Sequence, residues 1–392
     1  MTGDKTQASS NQRQTKQTSE NYARDRKTDR TLRLSRRSAL VTGAGVVATV
    51  AGLSGSATAV DLDAATQIED WHDLDDVHND TDADYVLAND LNQSTDGHDD
   101  HASSSANGGD GLEPIDFFGG TFDGDGHRIS GLNVNPSGID AIEIGLFSSI
   151  STGGTVQDLG VAGSIDGRSE IGVLAGEVRG EVIRCSATGS ATGVDDGPSD
   201  AGDVGGLVGQ VQDSGEVTDS YAHSDATADL FVGGLAGTNK GVISRCYSTG
   251  LVTETFDSGE GLIGAFVADN DQGEVHDSYY DEDSNPGLDA FGNAGSNDDA
   301  TGLSTGEMQG DDAEDNMTAL DFDDTWTTVE NDYPELGDGD DDRSVSDYAD
   351  SESGKVETDG LIDAVDDWRD DEINTFLLLD VAGAWRSGEE VL

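Results

Sequence analysis

The sequence predicts an all-β chain: a parallel β-helix (β-solenoid) of about five to six rungs, with a short N-terminal capping helix and a small C-terminal αα-hairpin. Three observations predict it. One phrase recurs five times, as Ile144-Gly-Leu-Phe-Ser148, Gly172-Val-Leu-Ala-Gly176, Gly205-Gly-Leu-Val-Gly209, Gly233-Gly-Leu-Ala-Gly237 and Gly261-Leu-Ile-Gly264. Its central leucines (Leu146, Leu174, Leu207, Leu235, Leu262) lie 28, 33, 28 and 27 residues apart. Each phrase is followed by a second short apolar run, beginning at Val156, Val182, Val217, Ile243 and Val275. A fixed period of this size marks units that cannot bury their apolar faces alone and stack on their neighbours. The runs are short, β-branched and punctuated by glycine, so the unit is built of strands and turns. A propeller blade needs roughly 40 or more residues, which disfavours that alternative.

Composition agrees. Only 34% of the 392 residues are apolar, enough for an elongated core, and the 53 glycines supply turns. The chain carries 81 acidic and 20 basic residues, net −61. Half of the basic residues lie before residue 60, so the remainder is more acidic still. Such a surface repels nucleic acid and anionic membranes, which need clustered Lys and Arg. It suits solubility in concentrated salt, where screening lengths shrink to about 3 Å and acidic self-repulsion costs little.

Residues 1–59 read as an export signal. A basic stretch leads to Ser35-Arg36-Arg37-Ser38, a small-residue apolar run and Ala57-Thr58-Ala59. The run is too rich in Gly, Ala and Thr to make a good membrane span, and no insertion of the mature chain is expected. Residues 60–112 hold the N-terminal cap and a polar loop. Ile68, Trp71, Leu74 and Val77 share one helical face, and 66–91 would cover the open first rung. Residues 113–281 form the solenoid. Residues 282–336 form a tail packing on it, beginning with an Asp/Gly/Asn-rich linker over 282–300. Residues 337–347 are an acidic linker. There Asp338, Asp340 and Asp342 are candidate Ca2+ ligands, against the alternative of an acidic hinge. Residues 348–392 repeat themselves at 17 residues, and Leu361, Val365 and Trp368 face Leu378, Ala382 and Trp385 as two helical stripes.

Alignment of the second run gives three columns. Asp158, Arg184, Asp219, Arg245 and Asp277 alternate in sign, as a register device would. Leu159, Cys185, Ser220, Cys246 and Ser278 follow. Rungs two and four separate the cysteines by about 9.6 Å, beyond the ~7 Å that a disulfide spans, so both should be buried free thiols. Gly160, Ser186, Tyr221, Tyr247 and Tyr279 come next, with opposite parity. Tyr221, Tyr247 and Tyr279 should point outward as a three-ring strip. That strip is either a ligand-stacking platform for a glycan or a surface packed against a turn or the tail.

Tyr85-Val-Leu-Ala-Asn-Asp-Leu91, Gly120-Thr-Phe-Asp-Gly-Asp-Gly-His127, the five phrases and the closing Trp326…Leu336 together resemble the GLUG-motif β-solenoid proteins, over roughly 66–336. The resemblance implies a repeat of bacterial and archaeal surface proteins, found also beside IgA1-peptidase-type domains. The adjacent arginines resemble a twin-arginine signal, implying export to the cell surface or beyond in folded form. Residues 348–392 resemble a dockerin-type module, implying docking onto a partner through Leu361, Val365, Trp368, Leu378 and Trp385. Ala349, Ser351 and Ser353 replace that family's calcium ligands.

These resemblances imply a secreted, non-enzymatic, adhesin-like surface or matrix protein whose partner is a surface protein or glycan. The alternative is a polysaccharide-active enzyme or its glycan-binding subunit. No His-Glu-x-x-His, Gly-x-Ser-x-Gly or phosphate-binding Gly-Lys-Ser/Thr occurs. Among the histidines, His98-Asp-Asp-His101 alone has ligand-like spacing. No cofactor beyond Ca2+ is expected.

Overall fold

A computed structural model describes residues 65–136, 142–193, 202–255, 261–294 and 298–337. The export signal, the helical stripes of 348–392 and Asp338, Asp340 and Asp342 lie outside the described residues. Within Thr66–Leu392 the described strands form a parallel β-solenoid. A 15-stranded sheet contains two limbs of each rung, and a six-stranded and a five-stranded sheet complete the wall. Neighbouring rungs pair in parallel throughout, and Trp326–Val329 with Asp332–Leu336 is the antiparallel pair of the tail.

The columns align as their spacing requires. Val156, Val182, Val217, Ile243 and Val275 stand in one register. Phe122 and Tyr85 extend that column to the first rung. All seven are buried. The repeated phrase is a turn between two short strands. The amide of Leu146 donates to Val173 O, Leu174 to Leu207 O, and Leu207 to Leu235 O. Leu235 then donates to Phe266 O. Phe266 therefore fills the fifth position, and Leu262 pairs with Phe231 in the preceding strand. The alignment on Leu262 is four residues out of phase, because Gly261-Leu-Ile-Gly264 mimics the phrase one strand too early.

The sign-alternating column sits at the bend between limbs. Asp158, Arg184, Asp219, Arg245 and Asp277 all have φ between 48° and 53°, a left-handed conformation that costs non-glycine residues. Each arginine grips the aspartate one rung below with a two-pronged ion pair. Arg245 Nε and Nη2 donate to Asp219 at 2.8 and 2.6 Å, and Arg184 does the same to Asp158 at 2.5 Å for each prong. In the next column the Ser220 hydroxyl accepts the Cys185 amide at 3.0 Å, and Ser278 accepts that of Cys246 at 3.2 Å. Serine thus satisfies a buried amide from the rung below. Both cysteines are buried and free, and burial pushes their thiols up to about 12.

The cap begins with Thr66–Ile68 pairing onto Tyr85–Leu87, which pairs onto the first rung. Helix α1 (Trp71–Asp76) is capped by the Asp70 carboxylate and continues as a 3-10 turn, Val77–Asn79. Ile68, Trp71, Leu74 and Val77 are all buried against the first rung. The polar loop contains a second short helix, α2 (His98–His101). The stretch read as a linker over 282–300 instead adds strands, Phe291–Asn293 on the six-stranded sheet and Asp298–Leu303 on the large one. After it come helix α3 (Asp311–Asn316) and the antiparallel hairpin. Among the described residues no helix is long and apolar enough to cross a membrane.

Candidate functional site

Tyr221, Tyr247 and Tyr279 stand in one register with Ser186, on the opposite side of the strand from the cysteines. Tyr221 and Tyr247 stack with centroids 5.0 Å apart and planes 3° from parallel. They do not form an exposed platform. Tyr247 is fully buried and the other two nearly so, beneath Met308, Ala313, Met317, Leu320 and Trp326 of the tail. Tyr247 Oη donates to Pro334 O at 2.5 Å, and Tyr279 Oη accepts the Ala319 amide at 3.0 Å. The reading of the strip as an open ligand-stacking surface is corrected accordingly: a second apolar cluster closes over it. Beside it burial pushes the His223 imidazole down to about 4.

A different arrangement, absent from the sequence reading, gathers charge. Glu143, Glu170 and Asp203 occupy equivalent places on successive rungs, flanked in register by Ile142–Ser169, Ile144–Ile171 and Ser169–Gly202 pairs. All three have φ between 56° and 58°. Glu177 lies close by, buried, with Arg179 Nη1 at 2.6 Å from its carboxylate. Burial, then Glu143, Asp203 and Glu177 in turn, push the Glu170 carboxyl up to about 7, and Arg179 opposes them. Burial also raises Glu143 and Asp203, the latter partly offset by the Thr238 hydroxyl, which donates to it. The signal was present in the sequence. An acidic residue stands two places before the first glycine of rungs one to three, and Phe231 and Leu262 replace it afterwards.

This column makes a pH prediction. A carboxyl raised from about 4.5 in the unfolded chain to about 7 in the fold contributes no penalty below pH 4.5, where both states are protonated. Stability is then lost as pH rises through the folded value. Glu170→Gln should therefore stabilise above about pH 7, by about 1 to 2 kcal/mol after solvent screening of a part-exposed group, and change little at pH 4. Urea unfolding at the two pH values checks this; equal effects at both would contradict it.

The sequence-paired histidines part company. His98 turns inward, with Nε2 3.0 Å from Gly131 O and its ring edge against Trp71, and His101 meets His72 instead. Among the described residues no three His, Cys, Asp or Glu side chains converge as a metal-holding group.

No family model matches the chain. Over 172 residues it is 34% identical to halomucin of Haloquadratum walsbyi. The chain is similar to halomucin. That likeness takes in 42% of this chain and 2% of halomucin, so this chain spans a very small part of that relative. Forty-seven residues, 12% of the chain, are 51% identical to a laccase of Haloferax volcanii, covering 8% of it. Among solved structures, IgA1 protease aligns over 61% of this chain and 21% of its own, with a TM-score of 0.38 and 17% identity.

Proposed function

We propose that the chain is an exported, non-enzymatic β-solenoid of a halophile's cell surface or matrix, adhesin-like, with residues 348–392 docking onto a surface protein. The observation that carries this reading is the uninterrupted stack. The apolar column runs rung to rung, ion pairs join Arg184 to Asp158 and Arg245 to Asp219, and such a stack gives a rigid rod whose length follows repeat number. The net charge of −61 suits concentrated salt, and the likeness to halomucin, itself a haloarchaeal protein, supports the same setting. Export runs by the twin-arginine route in this reading, with Asp338, Asp340 and Asp342 as the Ca2+ ligands. The test is fractionation of a salt-requiring host expressing the full chain. The mature protein should appear in the surface or medium fraction, and Arg36→Lys with Arg37→Lys should strand it inside with its leader uncut. Wild-type chain retained inside would overturn the reading. Removing 348–392 should release it from its surface partner.

A second reading, a polysaccharide-active enzyme, is favoured by one observation. Glu170 is a raised carboxyl beside Glu143, and adjacent rungs lie about 4.8 Å apart, near the roughly 5 Å separation of retaining glycosidases. Reducing-sugar release from a polysaccharide panel, lost in Glu170→Gln, would favour it.

A further inference from the structure

We propose that His72 and His101 form a two-imidazole site for a divalent cation of tetragonal preference, Cu2+ or Ni2+, which clasps the N-terminal cap. His72 lies on α1 and His101 on α2, 29 residues later. His72 Nδ1 stands 2.9 Å from His101 Nε2, with the rings nearly perpendicular at 89°. The Asp75 carboxylate lies 3.2 Å from the other nitrogen of His101, Nδ1. That contact holds the proton on Nδ1 and turns the Nε2 lone pair toward His72. It is the outer carboxylate contact that metal-ligating histidines ordinarily make.

In the metal-free fold these two nitrogens share a hydrogen bond, and their spacing suits one class of metal once that proton has moved. A cation about 2.0–2.1 Å from each nitrogen, across a 2.9 Å gap, subtends an angle of roughly 90°. That angle belongs to square-planar and octahedral coordination, which suits Cu2+ and Ni2+. Tetrahedral zinc would need the nitrogens roughly 3.4 Å apart. The pair is solvent-accessible, so water completes the shell. Loading is balanced in protons. His72 moves its proton from Nδ1 to Nε2, and both rings ligate as neutral imidazoles.

Gly97 supports the arrangement from the other side. Its φ is 82°, and an added Cβ would lie 3.0 Å from the His72 ring. Its backbone therefore lies against that ring and brings α2 up to α1. A bound cation would tie the two helices together over the first rung and so raise the stability of the cap by mass action.

The test titrates the untagged full chain with Cu2+ in molar KCl, followed by electron paramagnetic resonance and thermal unfolding. The wild type should show nitrogen hyperfine structure from two imidazoles and a rise in unfolding temperature. His72→Asn and His101→Asn should each abolish the two-nitrogen signal and the rise, and His276→Asn should keep both. Asp75→Asn keeps both rings and should weaken binding by about 10- to 100-fold. A two-nitrogen signal that survives His72→Asn would overturn the proposal. So would oxygen-only coordination of the wild type, the mark of adventitious copper on the acidic surface.

Discussion

Tyr247→Ala should detach the tail from the solenoid without unfolding the solenoid itself. Tyr247 is fully buried, stacked on Tyr221, packed against Trp326 with centroids 5.5 Å apart, and bonded through its hydroxyl to Pro334 O. Truncating a buried aromatic leaves a cavity and costs about 3 to 5 kcal/mol. Here the loss falls on one interface, because the tail meets the wall through this second cluster and the Thr305 and Tyr333 hydroxyls on Asp281, and the rungs draw their stability from their own neighbours. Limited proteolysis should cut the variant within 304–336 and spare the rungs, with far-ultraviolet circular dichroism nearly unchanged. Tyr247→Phe isolates the hydroxyl and should cost about 1 to 2 kcal/mol, since the Pro334 carbonyl loses its donor. A tail as protected in Tyr247→Ala as in the wild type would show that other contacts hold it.

Gly205→Ala should be among the most damaging single methyls in the repeat. A Cβ there would lie 2.1 Å from Val208 O and 2.6 Å from Ala236 Cα, both backbone atoms that cannot swing away. The strands on either side of the Gly-Leu-Val-Gly turn press backbone to backbone, which is why the phrase needs its glycines and carries its leucine inward. The strain of forcing that contact apart is about 3 kcal/mol or more. Gly153→Ala is the contrasting case. Its φ is 93° with nothing near an added Cβ, so its cost is the dihedral alone, about 1 to 2 kcal/mol. Unfolding midpoints of the two variants compare space with conformation directly, and equal shifts would refute the close-approach explanation.

Much of this was legible because a repeat turns sequence spacing into vertical contact. The valine column, the alternation of Asp158, Arg184, Asp219 and Arg245, and the opposite parity of cysteines and tyrosines all follow from alignment. Parity alone could say that the tyrosines leave the main core, but not what they meet. The left-handed backbone of the Asp/Arg column was hidden too, since arginine is no signature of that conformation. Phe266 was missed because a glycine-leucine pair one strand early imitates the phrase.

The sequence by itself determined the period, the rung-to-rung partners and the side of the wall each column faces, because every unit repeats the same short-range geometry. The tertiary structure decided what has no period. It laid Met308, Met317 and Trp326 over the tyrosine strip and brought His72 to His101 in place of His98. Those contacts join segments that occur once. Their geometry is set by how the surfaces pack, which no spacing along the chain records.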